Sequence, residues 1–162
     1  MKKYKASLTS LEKSKGNNKR RGVLVETMFD CLINHLWNVS CVHKVADYGS
    51  AGTLESKGGS VSDRIVFRKG LGPVFCEIKT SLHKTGFDIL KALRPTQHFI
   101  GTQCVKVNGL YEFYYVFVYS EELREWFQIP YSYIYNNQKP SMKTWATLEK
   151  EGFKVFNPLT GV

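Results

Sequence analysis

The sequence predicts an α/β domain, a central mixed β-sheet flanked by helices, and three observations predict it. Residues 22–37 carry Val25, Met28, Phe29, Leu32, Ile33 and Leu36 at the 3-and-4 spacing of an apolar helix face. Residues 61–68 and 73–80 alternate side chain by side chain around Lys69-Gly70-Leu71-Gly72, as two strands of a hairpin do. Residues 110–119, LYEFYYVFVY, are apolar on both faces, the pattern of a central strand covered on both sides.

Taken in order, residues 1–21 mix Lys, Ser, Asn and Gly with few apolar side chains, so a flexible basic arm is expected ahead of a domain body at 22–162. After the first helix, residues 40–48 read as a short strand. Residues 49–60 are rich in glycine and serine, which is loop chemistry. The hairpin follows. Residues 81–94 read as a loop with a short helix near 87–93. Pro95 suits the first position of a helix to about 105. Beyond the 110–119 strand, Ser120-Glu121-Glu122 reads as an N-cap and acidic first turn of a helix to Phe127. Ser141 reads as the cap of a helix to Glu151 that Gly152 stops, and 153–156 as an edge strand.

The 162 residues suffice for one hydrophobic core, and no apolar run approaches the ~18 residues of a membrane span. Met-Lys-Lys-Tyr-Lys is not followed by the apolar core of a secretory signal. Cys31, Cys41, Cys76 and Cys104 form no C-x-x-C pair, so reduced thiols and a cytoplasmic setting are expected rather than zinc or disulfides. The net charge is +9. Residues 1–21 hold eight Lys or Arg against Glu12 alone, +7, which leaves +2 for the other 141 residues. Such asymmetry points to a polyanionic partner, DNA first among them, or to a solubilising tail.

The hairpin carries the chemistry. Residues opposed in a hairpin have a constant index sum, and a turn centred on Gly70 makes that sum 140, which sets Asp63 opposite Glu77. Opposed side chains share a sheet face with Cβ atoms roughly 4.5–5.5 Å apart, and Lys79 projects from the same face two residues on. Two carboxylates meeting on a covered face repel unless a cation lies between them. Mg²⁺ prefers hard oxygen ligands, so Asp63, Glu77 and the Ile78 carbonyl are a candidate ligand set, with Lys79 beside it as a donor to an attacking water. Glu26 lies at the border of the first helix's apolar stripe, where it can lean over the sheet as a third acid or be an ordinary surface glutamate. The same acids and lysine are also compatible with a purely structural ion-pair cluster.

Asp63, then Glu77-Ile78-Lys79, after a helix bearing Glu26, resembles the PD-(D/E)XK nuclease superfamily, with Ser62 in the place of the variable proline. Within it the chain looks most like RecU-type Holliday-junction resolvases. The likeness lies in the polar segment 80–87 that ends in Phe87, in Pro95-Thr96-Gln97, and in the Lys139-Pro140-Ser141 helix start. The resemblance implies a restriction-endonuclease-like core and a Mg²⁺-dependent DNA endonuclease, with Mn²⁺ substituting, that resolves branched DNA as a homodimer in a bacterial nucleoid or phage-infected cell. It implies metal ligation by Asp63, Glu77, Ile78 and Glu26, and catalytic roles for Asp63, Glu77, Lys79, Glu26 and Gln97. The rival readings are a type II restriction-like enzyme cutting duplex sites and a non-catalytic DNA-binding protein. Lys13, Lys15, Lys19, Arg20 and Arg21 of the basic segment, and Lys84 after the E-x-K strand, are the expected DNA contacts. The aromatic stripe Tyr111, Phe113, Tyr115, Phe117 and Tyr119 reads as core packing rather than a stacking platform, because Tyr114, Val116 and Val118 make the other face apolar too.

Overall fold

The computed structural model describes residues 2–14, 16–45, 62–107 and 112–159. Expectations for the 49–60 loop, for Lys15, and for the leading residues of the 61–68 and 110–119 strands lie outside the described residues.

A six-stranded mixed sheet has the order β1-β2-β3-β5-β6-β8. Its strands are β1 (Val39–Lys44), β2 (Arg64–Arg68), β3 (Pro73–Ser81), β5 (Tyr114–Ser120), β6 (Glu125–Pro130) and β8 (Lys154–Val155). Only β3 and β5 run parallel. A separate two-stranded ribbon joins β4 (Gly86–Asp88) to β7 (Met142–Thr144).

Two apolar clusters cover the sheet's two faces. On one, Tyr4 and Leu11 of α1 (Lys2–Lys13) and Val25, Met28, Phe29, Leu32 and Ile33 of α2 (Asn18–Leu36) pack on Val66, Val74, Cys76, Ile78, Phe117, Tyr119 and Trp126. On the other, Tyr114, Val116, Val118, Phe127 and Ile129 meet residues beyond β3, among them Ile89 and Leu93, Ile134 of α4 (Tyr131–Asn136), and Trp145 and Leu148 of α5 (Trp145–Lys150). Helix α3 (Pro95–Val107) lies on this second side, with Ile100, Cys104 and Val105 packed against the cluster. Strand β5 is thus buried on both faces, and its aromatic residues are core.

Among the described residues, 2–14 and 16–21 are not a flexible arm but carry α1 and the start of α2. Tyr4, Ser7, Leu8 and Leu11 recur at i, i+3, i+4 and i+7, so α1 has a narrow apolar stripe among its lysines, and Tyr4 and Leu11 are fully withdrawn from water. The Tyr4 hydroxyl accepts from Trp126 Nε1 at 3.1 Å and from Asn157 Nδ2 at 2.7 Å. Helix α2 begins four residues earlier than its apolar pattern suggested, because the Asn17 side chain accepts the Arg20 N–H and caps it.

The helix expected over 120–127 is instead a tight turn and strand β6. Ser120 pairs with Glu125 across the turn, its Oγ accepts the Leu123 N–H, and Arg124 takes φ 57°. Trp126 and Phe127 face opposite clusters, and burial on both faces outweighs local helix preference. The segment 87–93 is β4 followed by a turn that Asp88 closes by accepting the Leu90 and Lys91 N–H groups. The helix expected from Ser141 begins at Trp145, capped by Thr144, because 142–144 pair with β4. Helix α4 had no counterpart in the sequence pattern. All four cysteines are free thiols. Among the described residues no helix is long and apolar enough to cross a membrane.

Candidate metal and phosphodiester site

The β2–β3 hairpin has the register read from the sequence: Arg64 pairs with Cys76, Ile65 with Phe75, Val66 with Val74 and Phe67 with Pro73, each summing to 140. Gly70 supplies the turn with φ 72°, a conformation open to glycine at little cost. The ladder stops at Arg64–Cys76. One residue further, the Asp63 carboxylate takes the next free donor of β3, accepting the Ile78 N–H at Oδ2 over 2.7 Å. Odd-numbered residues of β3 bond to β5, as Phe75 N–H does to the Phe113 carbonyl at 2.8 Å. Alternation therefore turns the peptide groups of Ile78 toward the open edge that Asp63 occupies.

Glu77 is 1% exposed. Its Oε1 receives the Lys79 ammonium at 2.5 Å, while Oε2 is buried without a hydrogen-bond partner. Burial, then the neighbouring Asp63 charge, pushes the Glu77 carboxyl up to about 7 against the pull of Lys79. Burial also raises Asp63, opposed by its bond to Ile78 and by the Lys79 charge. Gln97 reaches the cluster from the first turn of α3. Its Oε1 accepts the Arg94 N–H at 2.8 Å, the reach-back half of a capping box, which leaves its amide nitrogen to favour the ionised form of Glu77.

A cleft of about 160 Å³ opens over these groups. Asp63, Glu77, Ile78 and Lys79 form one wall, Gln97 and Arg94 a second, and Gly22, Val25 and Glu26 of α2 a third. All five residues expected to be catalytic therefore meet in one place. Glu26 plays a different part from the one expected. Its Oε2 is held by Arg64 at 3.1 Å and Lys44 at 3.0 Å, so that oxygen is engaged in ion pairs with β1 and β2. Among the described residues no group of three or more His, Cys, Asp or Glu side chains is placed to hold a metal ion. Two carboxylates lining one cleft, those of Asp63 and Glu77, with one oxygen unpartnered, beside a backbone edge, are chemically compatible with a hard divalent cation, since Mg²⁺ is commonly held by one or two carboxylates with water and phosphate completing its octahedron.

Two residues of this neighbourhood carried no clear signal in the sequence. Arg64 is buried, binds Asp30 through Nε and Nη2 at 2.8 and 3.0 Å, and donates from Nη1 to the Asp63 carbonyl at 2.9 Å. It locks α2 to β2 and fixes the backbone of Asp63. An arginine on the same strand face as Val66, a core position, was the available hint. Arg94 was hidden in a segment with no clear periodicity. Among the expected DNA contacts, Lys13, Lys19, Arg20 and Lys84 are exposed. Arg21 is not a DNA contact: it is 4% exposed and ion-paired with Glu121, which also accepts from Thr80 Oγ1 at 2.7 Å. No protein-family model matches the chain, and no curated protein matches it.

Proposed function

We propose that the protein is a divalent-metal-dependent DNA endonuclease of the PD-(D/E)XK kind, acting on branched DNA of the Holliday-junction type. The observation that supports this reading is the convergence of Asp63 and Glu77 on one cleft, with the ammonium of Lys79 on Glu77 and a buried carboxylate oxygen left over. Asp63 and Glu77, with the Ile78 carbonyl, would hold Mg²⁺ or Mn²⁺. A cation so bound lowers the pKa of water and offsets the charge that builds on phosphorus.

The chain's own groups do the rest. Asp63 is fixed by the Ile78 N–H and the Arg64 clamp, so its free oxygen is preorganised. Gln97 lines the same cleft as Glu77. Lys79, 23% exposed at the cleft surface, would be the donor to an attacking water and to a phosphate oxygen there. Resolving a junction requires two cuts, so two chains related by a two-fold axis are the expected assembly, and light scattering of the purified protein should return a dimer mass.

The test is incubation of the purified chain with a four-way junction, a matched duplex and a single strand, with and without Mg²⁺. Junction cleavage that requires Mg²⁺ supports the reading. Cleavage of duplex at fixed sites instead identifies a restriction-like enzyme. Metal-independent binding without any cleavage leaves a DNA-binding protein with a structural ion-pair cluster.

A further inference from the structure

Gly22 lies in the second turn of α2, where an alanine would be favoured by roughly 1 kcal/mol over glycine. Nothing in the fold demands a glycine there. A Cβ added to it meets no atom within 4 Å, and its φ is not in the left-handed region. The open space is the cleft itself, which Gly22 lines together with Val25 and Glu26, its neighbours at i+3 and i+4. A helix that forgoes a side chain on its cleft-facing side lets another backbone come close.

Arg94 lines the same cleft as Gly22. It is exposed, and none of the ion pairs formed among the described residues includes it. Its backbone is held by Gln97, so the base of the side chain is fixed, while the guanidinium forms no ion pair with the described residues. Lys19, exposed, stands one turn before Gly22 on the same side of α2. At about 160 Å³ the cleft is well below the ~300 Å³ of a small-molecule pocket, so it suits one phosphodiester group and its hydration, not a nucleotide with its base.

We propose that one DNA strand is seated in this cleft by its backbone alone. Arg94 grips a phosphate in a forked contact, Gly22 is the point of closest approach to α2, and Lys19 takes the next phosphate along. The inference rests on the nuclease reading and adds to it the seating of the substrate strand and two residues that do no chemistry on it. Such seating is independent of base sequence, because phosphate contacts position a strand without reading it.

The variants are Arg94→Ala, Arg94→Lys and Gly22→Ala, with thermal unfolding, metal-free binding to a four-way junction across a salt series, and single-turnover cleavage in Mg²⁺ as readouts. Arg94→Ala should weaken binding, flatten the log–log salt slope by about 0.9, and slow cleavage by roughly 10²-fold. Arg94→Lys should restore the slope but only part of the rate, since an ammonium keeps the charge and loses the fork. Gly22→Ala should raise the unfolding temperature and still weaken binding roughly tenfold, a pairing that a merely structural glycine cannot give. If the native chain cuts DNA while the alanine variants bind and cut as it does, the seating is wrong and the nuclease reading stands. If the native chain binds no DNA in any form, both are overturned.

Discussion

Glu77 is the residue on which the site turns, because its burial and its proximity to Asp63 push its proton affinity in the same direction. Its carboxyl is raised in the folded chain from 4.5 to about 7. The folded state therefore holds more protons than the unfolded one between those values, so this group's stabilising contribution is complete below 4.5 and is lost as pH rises through 7. In metal-free protein, the unfolding temperature should fall across that window more steeply for the native chain than for Glu77→Gln. Mg²⁺ added above pH 7 should raise it for the native chain and not for the variant, and calorimetry with and without chelator checks both. Asp63→Asn and Glu77→Gln should each abolish Mg²⁺-dependent cleavage while leaving metal-free DNA binding intact or slightly tighter, since each removes a ligand and a negative charge facing phosphate. Lys79→Ala should bind metal and lose cleavage by roughly two to three orders of magnitude, and Lys79→Arg should recover little. Native cleavage by the alanine variant would reduce Lys79 to a structural partner of Glu77.

At the scale of elements, the most informative departure from the sequence is α1. Its lysines dominate the composition and conceal a stripe of four residues, Tyr4, Ser7, Leu8 and Leu11, that docks it on the sheet. Tyr4→Ala should destabilise the fold by about 3–5 kcal/mol, as truncation of a fully buried aromatic does. Tyr4→Phe should cost about 1–3 kcal/mol, because it removes the hydroxyl that accepts from the buried Trp126 indole. Urea unfolding measures both, and a change below about 0.5 kcal/mol would be the behaviour of a mere tail. The hairpin shows the opposite case. Its register was legible because index arithmetic and a turn glycine determine pairing locally, and Asp63, Glu77 and Lys79 followed from it. Strand β6 was not legible: Ser120-Glu121-Glu122 is a sound helix start, and only the two-sided burial of Trp126 and Phe127, a property of the assembled sheet, overrides it.

For the molecule as a whole, the sheet with its helices on both faces and the convergence of Asp63, Glu77, Lys79, Gln97 and Glu26 were readable in the chain, while the α2-side clamp through Arg64 and the Arg94 wall were not. The difference is one of range. Strand alternation and E-x-K spacing act over about twenty residues or fewer, whereas a buried arginine declares its partners only after α2 and β2 have met. The basic charge is likewise redistributed by folding. Arg21 is consumed inside the molecule by Glu121, while Lys13, Lys19 and Arg20 remain on the surface near the junction of α1 and α2. Reversing these three to glutamate should leave the unfolding temperature little changed, while the salt dependence of DNA binding flattens by roughly 0.9 in log–log slope for each phosphate left without its cation. An unchanged slope would place the DNA elsewhere on the surface.

The hydroxyl of Tyr4 joins partners 122 and 153 positions away along the chain. Closing loops of that length is costly in entropy and is not rewarded until the intervening strands are in place. Docking of α1 is therefore expected late in the order of folding, after the sheet that bears Asp63 and Glu77 has assembled. The indole of Trp126, hydrogen-bonded to that hydroxyl and packed 5.2 Å from the Tyr119 ring, thereby becomes an intrinsic clock. Its emission should change in the last kinetic phase of refolding, after far-ultraviolet circular dichroism has already reported the strands.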